Sequence, residues 1–230
     1  MPPADEEPQG VPSDVAAIRR EIRAFLNTIA PNGKKIGTAK WGVYAFYDYD
    51  GEPIYVGQTN EMLRSRISRH LTNQRTDAVA MNVLDPFEVA EIEVWPLWEL
   101  QGKKSGDPGS KALLNAAEYT VFQLVLRKSS FDAVLNEADI VATKPLRLPH
   151  STRGRIIPAE LYEQRKHPDV RIARRATTIA ALARVISERS VSKGLRRTLL
   201  TQAVRLQRLA TERYQDVCGS VPTIAPGEEV

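Results

Sequence analysis

The stretch Trp41–Leu71, WGVYAFYDYDGEPIYVGQTNEMLRSRISRHL, decides how this chain is read. Gly42-Val43-Tyr44 opens one apolar run and Tyr55-Val56-Gly57 sits on a second, with the two tyrosines eleven residues apart. Between them Asp48-Tyr49-Asp50-Gly51 is hairpin chemistry, because an Asp-Gly pair tolerates the positive φ that tight turns require. A helix is predicted after Asn60, where Leu63, Ile67 and Leu71 recur at i, i+4 and i+8 and form a buried stripe. Arg66 and His70 are also four apart and share a stripe that borders the apolar one. A cation and an imidazole at the edge of a core, beside two strand tyrosines, could meet a phosphate.

Working outward, the segment before the hairpin carries Ile18, Ile22, Phe25 and Ile29 at helical spacing, with Ser13 as N-cap and Pro31-Asn32-Gly33 as the stop. This helix is expected to pack on the sheet. Residues 1–12 are proline-rich and acidic and read as disordered. Beyond the central helix, Thr72–Pro86 is polar and reads as a loop with a short helical turn. Phe87–Trp95 alternates apolar and acidic residues, but the phase slips at Ala90-Glu91, so a third strand with a bulge is predicted. Gln101–Gly109 is a flexible basic loop, and Ser110 is the expected N-cap of a helix over Lys111–Arg127.

Within that helix Leu114, Val121, Phe122 and Val125 flank Glu118 at i−4, i+3, i+4 and i+7, placing a carboxylate in the middle of an apolar stripe. An unpaired carboxylate there would cost several kcal/mol, so Glu118 must meet a cation, a metal ion or a proton. A structural ion pair with Arg66 or another arginine meets that demand, and so does a metal. Asn136 follows the strand-like Ala133-Val134-Leu135, where a lone Asn is commonly a turn residue.

The hairpin and its helix resemble the GIY-YIG nuclease superfamily, with GVY for GIY and YVG for YIG. Leu63-Arg-Ser-Arg-Ile-Ser-Arg-His70 carries that family's arginine, and the histidine four residues later takes the form of several restriction-type members. The resemblance implies a mixed α+β module, a small three-stranded sheet flanked by helices, with a helical C-terminal extension. It implies a Mg²⁺ (or Mn²⁺) ion held by Glu118 that stabilises the leaving group. In the same scheme Arg66 neutralises the phosphate, Tyr55 hydrogen-bonds it, and Tyr44, assisted by His70, takes the proton from water. Asn136 stands where the family has an asparagine, although the family's preceding proline is absent here.

Composition bounds the rest. An apolar fraction of 42% with 26% charged residues is that of a globular protein rather than a disordered chain. One cysteine, Cys218, excludes an intrachain disulfide or a cysteine zinc cluster, and three scattered histidines argue against a histidine metal site. No apolar run approaches the ~20 residues of a membrane span. MPPADEEPQG lacks the features of a signal peptide, so a cytoplasmic protein is expected. The net charge of +4 is uneven: residues 1–143 hold 15 Lys/Arg against 20 Asp/Glu (−5), and residues 144–230 hold 17 against 8 (+9). Such asymmetry suggests a polyanion partner, here double-stranded DNA, although arginine-rich helical surfaces also occur without one.

Three regions follow: 1–40, a disordered start plus the N-terminal helix; 41–140, the nuclease-like domain; and 141–230, a basic proline/arginine linker with a helical C-terminal region. Lys144–Val170 contains four prolines and would stay extended, either tracking a phosphate backbone or as a solvated linker. Two amphipathic helices joined by Ser192-Lys193-Gly194 end the chain, carrying Ile179, Leu182, Val185 and Ile186, then Leu195, Leu199, Leu206 and Leu209. They are expected to pack on the core or on a second subunit. Candidate DNA contacts are Arg64, Arg69, Arg147, Arg153, Arg155, Arg196 and Arg197. A metal-dependent, restriction-type DNA endonuclease is the preferred function, dimeric at least on DNA. A structure-reading repair or recombination nuclease and a catalytically silent nucleic-acid-binding module are the alternatives.

Overall fold

The computed structural model describes residues 11–72, 84–136 and 139–220. The readings made above for residues 1–10, for most of 72–86 and for the tail from 221 lie outside them.

The hairpin forms as its pattern dictates. Strand β1 (Gly42–Tyr47) pairs antiparallel with β2 (Pro53–Thr59), placing Tyr44 opposite Gly57 and Phe46 opposite Tyr55. Gly51 takes φ +74° in the turn, the left-handed value that the Asp-Gly pair was read to supply. Asp48 closes the turn from within: its Oδ1 accepts the Asp50 and Glu52 amides at 2.9 and 3.0 Å. Helix α1 (Ser13–Leu26) precedes the hairpin and α2 (Leu63–Thr72) follows it. Pro12, not Ser13, occupies the N-cap of α1, and the Ser13 hydroxyl donates to its neighbour Asp14.

The sheet has four strands, one more than the sequence pattern suggests, in the order β2-β1-β3-β4 with every pair antiparallel. Strand β3 covers Glu91–Pro96 only. The phase slip at Ala90-Glu91 is not a bulge but the junction between a 3₁₀ turn at Pro86–Glu88 and the strand, and Phe87 lies exposed on that turn. Strand β4 (Thr152–Arg155) comes from the proline- and arginine-rich stretch and pairs with β3, Gly154 opposite Ile92.

Because β1 is central, both of its faces are buried. Val43, Ala45 and Tyr47 face helix α3 (Pro108–Leu126) through Leu114, Ala117, Val121 and Val125. Asp107, rather than Ser110, caps α3; its Oδ2 accepts the Ser110 amide at 2.8 Å and the Ser110 hydroxyl at 2.6 Å. Tyr44 and Phe46 face the other side, with Ile22 and Leu26 of α1 and Leu63 and Ile67 of α2. After the short α4 (Ala159–Lys166), helices α5 (Pro168–Glu188) and α6 (Lys193–Cys218) complete this second layer. Leu182 and Val185 of α5 and Leu195 of α6 enter the same core as Tyr44, so the amphipathic pair packs on its own sheet.

A buried ion cluster fastens that layer. Asp48 Oδ2 accepts from Arg171 (3.2 Å), Arg175 (2.9 Å) and Arg205 (2.6 Å), while Arg171 also bonds Asp50 and Arg175 also bonds Glu88. All three guanidiniums are at least 95% shielded from solvent. Burial pushes Arg171 down, but the hydrogen bond and charge of Asp50 and the charge of Asp48 outweigh it, and the net shift is upward. Arg205, on the last helix, is therefore a core residue.

Candidate active site

A cleft of about 350 Å³ opens at the outer edge of β2. Its floor is Tyr55–Gln58, one wall is Asn115 and Glu118 of α3, and Arg66 of α2 reaches in from the opposite layer. Asn136 and Asp139 complete the rim. The cleft thus straddles the sheet edge, where one helix from each layer comes within reach of the same strand.

Glycine 57 explains how the two tyrosines fit. A Cβ on it would lie 2.5 Å from the Tyr44 hydroxyl and 2.9 Å from the Tyr55 ring, so only glycine lets Tyr44 lie across β2. Tyr44 is fully buried beneath the cleft floor, and Arg66 Nε donates to its hydroxyl at 3.3 Å. Arg66 therefore links the buried phenol to the open cleft and sets a positive charge beside that oxygen.

Glu118 is half-buried on the cleft wall. The true centre of the α3 stripe is Ala117 and Val121, both fully buried, and the 100° step to the next residue turns Glu118 to the stripe's edge. The sequence pattern placed Glu118 in the middle of the stripe and asked for a cation, a metal ion or a proton beside it; the helix sets it at the stripe's edge, on the cleft wall. Asn115, three residues earlier, shares that face, a spacing that makes it findable from sequence once Glu118 is chosen.

Asn136 is engaged on both sides: Oδ1 accepts the Val56 amide at 3.3 Å and Nδ2 donates to the Val56 carbonyl at 2.7 Å. With the Leu135 amide on the Ile54 carbonyl at 2.9 Å, this segment takes the place of a fifth strand at the β2 edge. Its amide positions the floor of the cleft.

His70 is 1% exposed and packs behind the tyrosines, its ring centroid 5.3 Å from Tyr55, 5.8 Å from Tyr44 and 6.1 Å from Phe46. It does not line the cleft. Burial, reinforced by the charges of Arg66 and Arg69, lowers its pKa to about 3, and neither ring nitrogen has a hydrogen-bond partner among the described residues. The ring is neutral near pH 7.

The candidate DNA-contacting arginines do not converge. Arg64 bonds the Leu26 carbonyl and Asn27 at the end of α1, and Arg69 pairs with Glu61. Arg153 pairs with Glu91 at 2.7 Å over the Tyr47 ring, and Arg155 lies 3.8 Å over the Tyr162 ring. Arg197 holds Asp139 at the cleft rim at 2.8 Å, while Arg147 and Arg196 are exposed.

Among the described residues there is no group of three His, Cys, Asp or Glu side chains able to hold a metal by themselves. A single carboxylate with amide oxygens nearby is still a sound partial ligand set for Mg²⁺, which keeps several waters and relies on one or two carboxylates plus substrate phosphate. Glu118 with Asn115 fits that description.

Phenols, a guanidinium and the Glu118 carboxylate gathered at a sheet edge define a site suited to phosphoryl oxygens. The family model described as the GIY-YIG catalytic domain matches residues 40–105, from the residue before Trp41 to the loop beyond β3, and this segment belongs to the GIY-YIG nuclease superfamily. Glu118, Asn136 and the C-terminal helices lie beyond the match. Neither the curated proteins nor the solved structures compared with the chain give a match. A GIY-YIG domain is a nuclease domain, and such nucleases generally use divalent metal ions. No helix among the described residues is long and apolar enough to cross a membrane.

Proposed function

We propose that the chain is a divalent-metal-dependent DNA endonuclease of restriction type. The observation that carries the catalytic reading is the convergence of Tyr55, Arg66 and Glu118 on one cleft, with Arg66 also holding the Tyr44 hydroxyl. Arg66 binds and neutralises a phosphoryl oxygen. Tyr55, on the floor, orients the phosphate by its hydroxyl, and Tyr44, reacting as the phenolate that the Arg66 charge stabilises, takes the proton of the attacking water and becomes the neutral phenol. Glu118, with Asn115, would hold Mg²⁺ or Mn²⁺, which when bound supplies charge relief at the leaving oxygen. His70, neutral and enclosed, keeps the Tyr44–Tyr55 pair in register.

The restriction-type assignment is supported by the Arg66/His70 spacing alone. A dimer is supported by Leu200 and Val204 on the outer face of α6, four residues apart and 65% and 44% exposed. A two-fold assembly would place one cleft on each strand of a palindrome.

The test is cleavage of supercoiled plasmid with Mg²⁺ by the wild type and by Glu118→Gln. Metal-dependent cutting lost in the variant, with DNA binding retained, is the expected result. Cutting at the wild-type rate by Glu118→Gln removes the metal role. Defined ends on sequencing support the restriction reading, and cuts confined to branched or nicked DNA replace it with structure-directed repair.

A further inference from the structure

The cleft continues past the catalytic residues into a second lobe of about 340 Å³, lined by Thr59, Asn60, Glu61, Arg66, Lys111 and Leu114 among others. Gln58 and Asn115 line both lobes and are bonded to each other, Gln58 Nε2 donating to Asn115 Oδ1 at 3.0 Å. Arg66 also faces both.

The loop between β3 and α3 is held over this lobe. Asn60 Nδ2 donates to the Ser105 carbonyl and the Ser105 hydroxyl donates to the Asn60 carbonyl, each at 3.1 Å. Lys40 Nζ adds a bond to the Lys103 carbonyl at 3.0 Å. Lys111 lines the lobe from α3, and the tethered loop carries Lys103 and Lys104 beside it; all three are exposed and none forms a salt bridge among the described residues. The acidic groups nearby are committed elsewhere. Asp107 caps α3 through Ser110, and Glu61 pairs with Arg69.

The C-terminal arginines differ. Arg171, Arg175 and Arg205 are consumed in the buried cluster, and Arg153, Arg184, Arg197, Arg208 and Arg213 each hold a surface carboxylate. A paired arginine presents a dipole, not a net charge, to a distant polyanion.

We propose that the second lobe, lined by Lys111 and bordered by the loop that carries Lys103 and Lys104, is a phosphate subsite that takes the DNA backbone next to the scissile phosphate. The catalytic domain then supplies non-specific grip of its own, beside whatever the exposed Arg147 and Arg196 of the C-terminal region add. This rests on the nuclease reading, which supplies the substrate and its polarity across the cleft.

The experiment measures binding of the full-length protein to a fluorescent DNA duplex by anisotropy, without divalent metal, across about 50–200 mM salt. In Lys103→Gln/Lys104→Gln/Lys111→Gln the slope of log K against log salt should flatten by about 2.7, at ~0.9 per phosphate contact, and Lys111→Gln alone should flatten it by about 0.9. Lys128→Gln is the control, exposed at the far end of α3 about 26 Å from Lys111 at 1.5 Å per residue, and should leave the slope unchanged. Wild-type slope and affinity in the triple variant, with its circular dichroism melt intact, overturn the subsite. Salt-dependent binding that responds to the lysines in a protein that never cuts DNA upholds the surface and removes the catalytic reading. A wild type that binds no DNA removes both.

Discussion

Replacing Asp48 by Asn tests the buried cluster with the least change in shape. Both carboxylate oxygens of Asp48 are already filled by donors: Oδ1 by two turn amides, Oδ2 by three guanidiniums. An amide has one oxygen and one NH₂, so in either orientation a donor faces donors. Each Arg–Asp contact near 2.9 Å carries about 6 kcal/mol of gross attraction at an effective dielectric of ~20, most of it offset by desolvation. Removing one partner while the arginines stay buried should cost about 3–5 kcal/mol, a large part of the ~5–15 kcal/mol that holds a domain together. Urea unfolding followed by far-UV circular dichroism should show the midpoint falling with little change in m-value. Adding Arg205→Met removes the surplus charge and should recover at least about half of the loss, the non-additivity expected of groups in one network. A single variant within about 1 kcal/mol of wild type would mean that the cluster does not hold the C-terminal helices to the sheet, and the reasoning fails.

Three further outcomes follow from the same geometry. A chain ended after Val141 loses Ile156, Leu182, Val185 and Leu195 from the core and all three arginines opposite Asp48, so it should show no cooperative urea transition. Because the folded His70 pKa is depressed to about 3 from the unfolded ~6.5, the unfolded chain binds the proton first. Stability is then lost as pH falls from about 6.5 toward 3, by about 2 kcal/mol at pH 5, and His70→Phe should flatten that part of the stability–pH curve. Gly57→Ala puts a methyl 2.5 Å from the Tyr44 hydroxyl, so kcat on DNA should drop by about 10²-fold or more with the far-UV spectrum retained; near wild-type turnover would show that Tyr44 need not sit there.

The hairpin and α2 were legible because their signals are local: alternation, an Asp-Gly turn and an i, i+4, i+8 stripe each lie within a few residues. The cleft was legible in part for the same reason, since Tyr44, Tyr55 and Arg66 sit on those elements. What escaped is long-range. Thr152-Arg-Gly-Arg155 has no apolar alternation, and it is a strand only because β3 offers an open edge. Asp48 and Asp50 were fully explained by the turn they make, so nothing in the sequence asked for arginines more than 120 residues away. The one available hint was Arg171 and Arg175, four apart on the stripe that continues to Leu182. Lys103 and Lys104 were visible as a basic loop, but the Asn60–Ser105 bonds that hold that loop beside the second lobe are not written in local pattern.

The uneven charge of the chain takes a different meaning from these contacts. A basic second part on an acidic first part points to a polyanion when each is viewed alone. Here Asp48, Asp50 and Glu88 of the first part are the anions that Arg171, Arg175 and Arg205 of the second part bind. The same helix α6 that sends Arg205 to the hairpin turn also touches the cleft rim two turns earlier, where the Thr198 hydroxyl reaches the Asn136 carbonyl at 3.4 Å and Arg197 holds Asp139. Asn136 in turn grips both backbone groups of Val56, between Tyr55 and Gly57. Strand β2 is therefore fixed through α6 at its turn end by the ion cluster and at its middle by Asn136. Loosening either anchor shifts Tyr55 and the ground beneath Tyr44, so substitutions in the C-terminal helices will reach catalysis through the position of β2 without touching DNA.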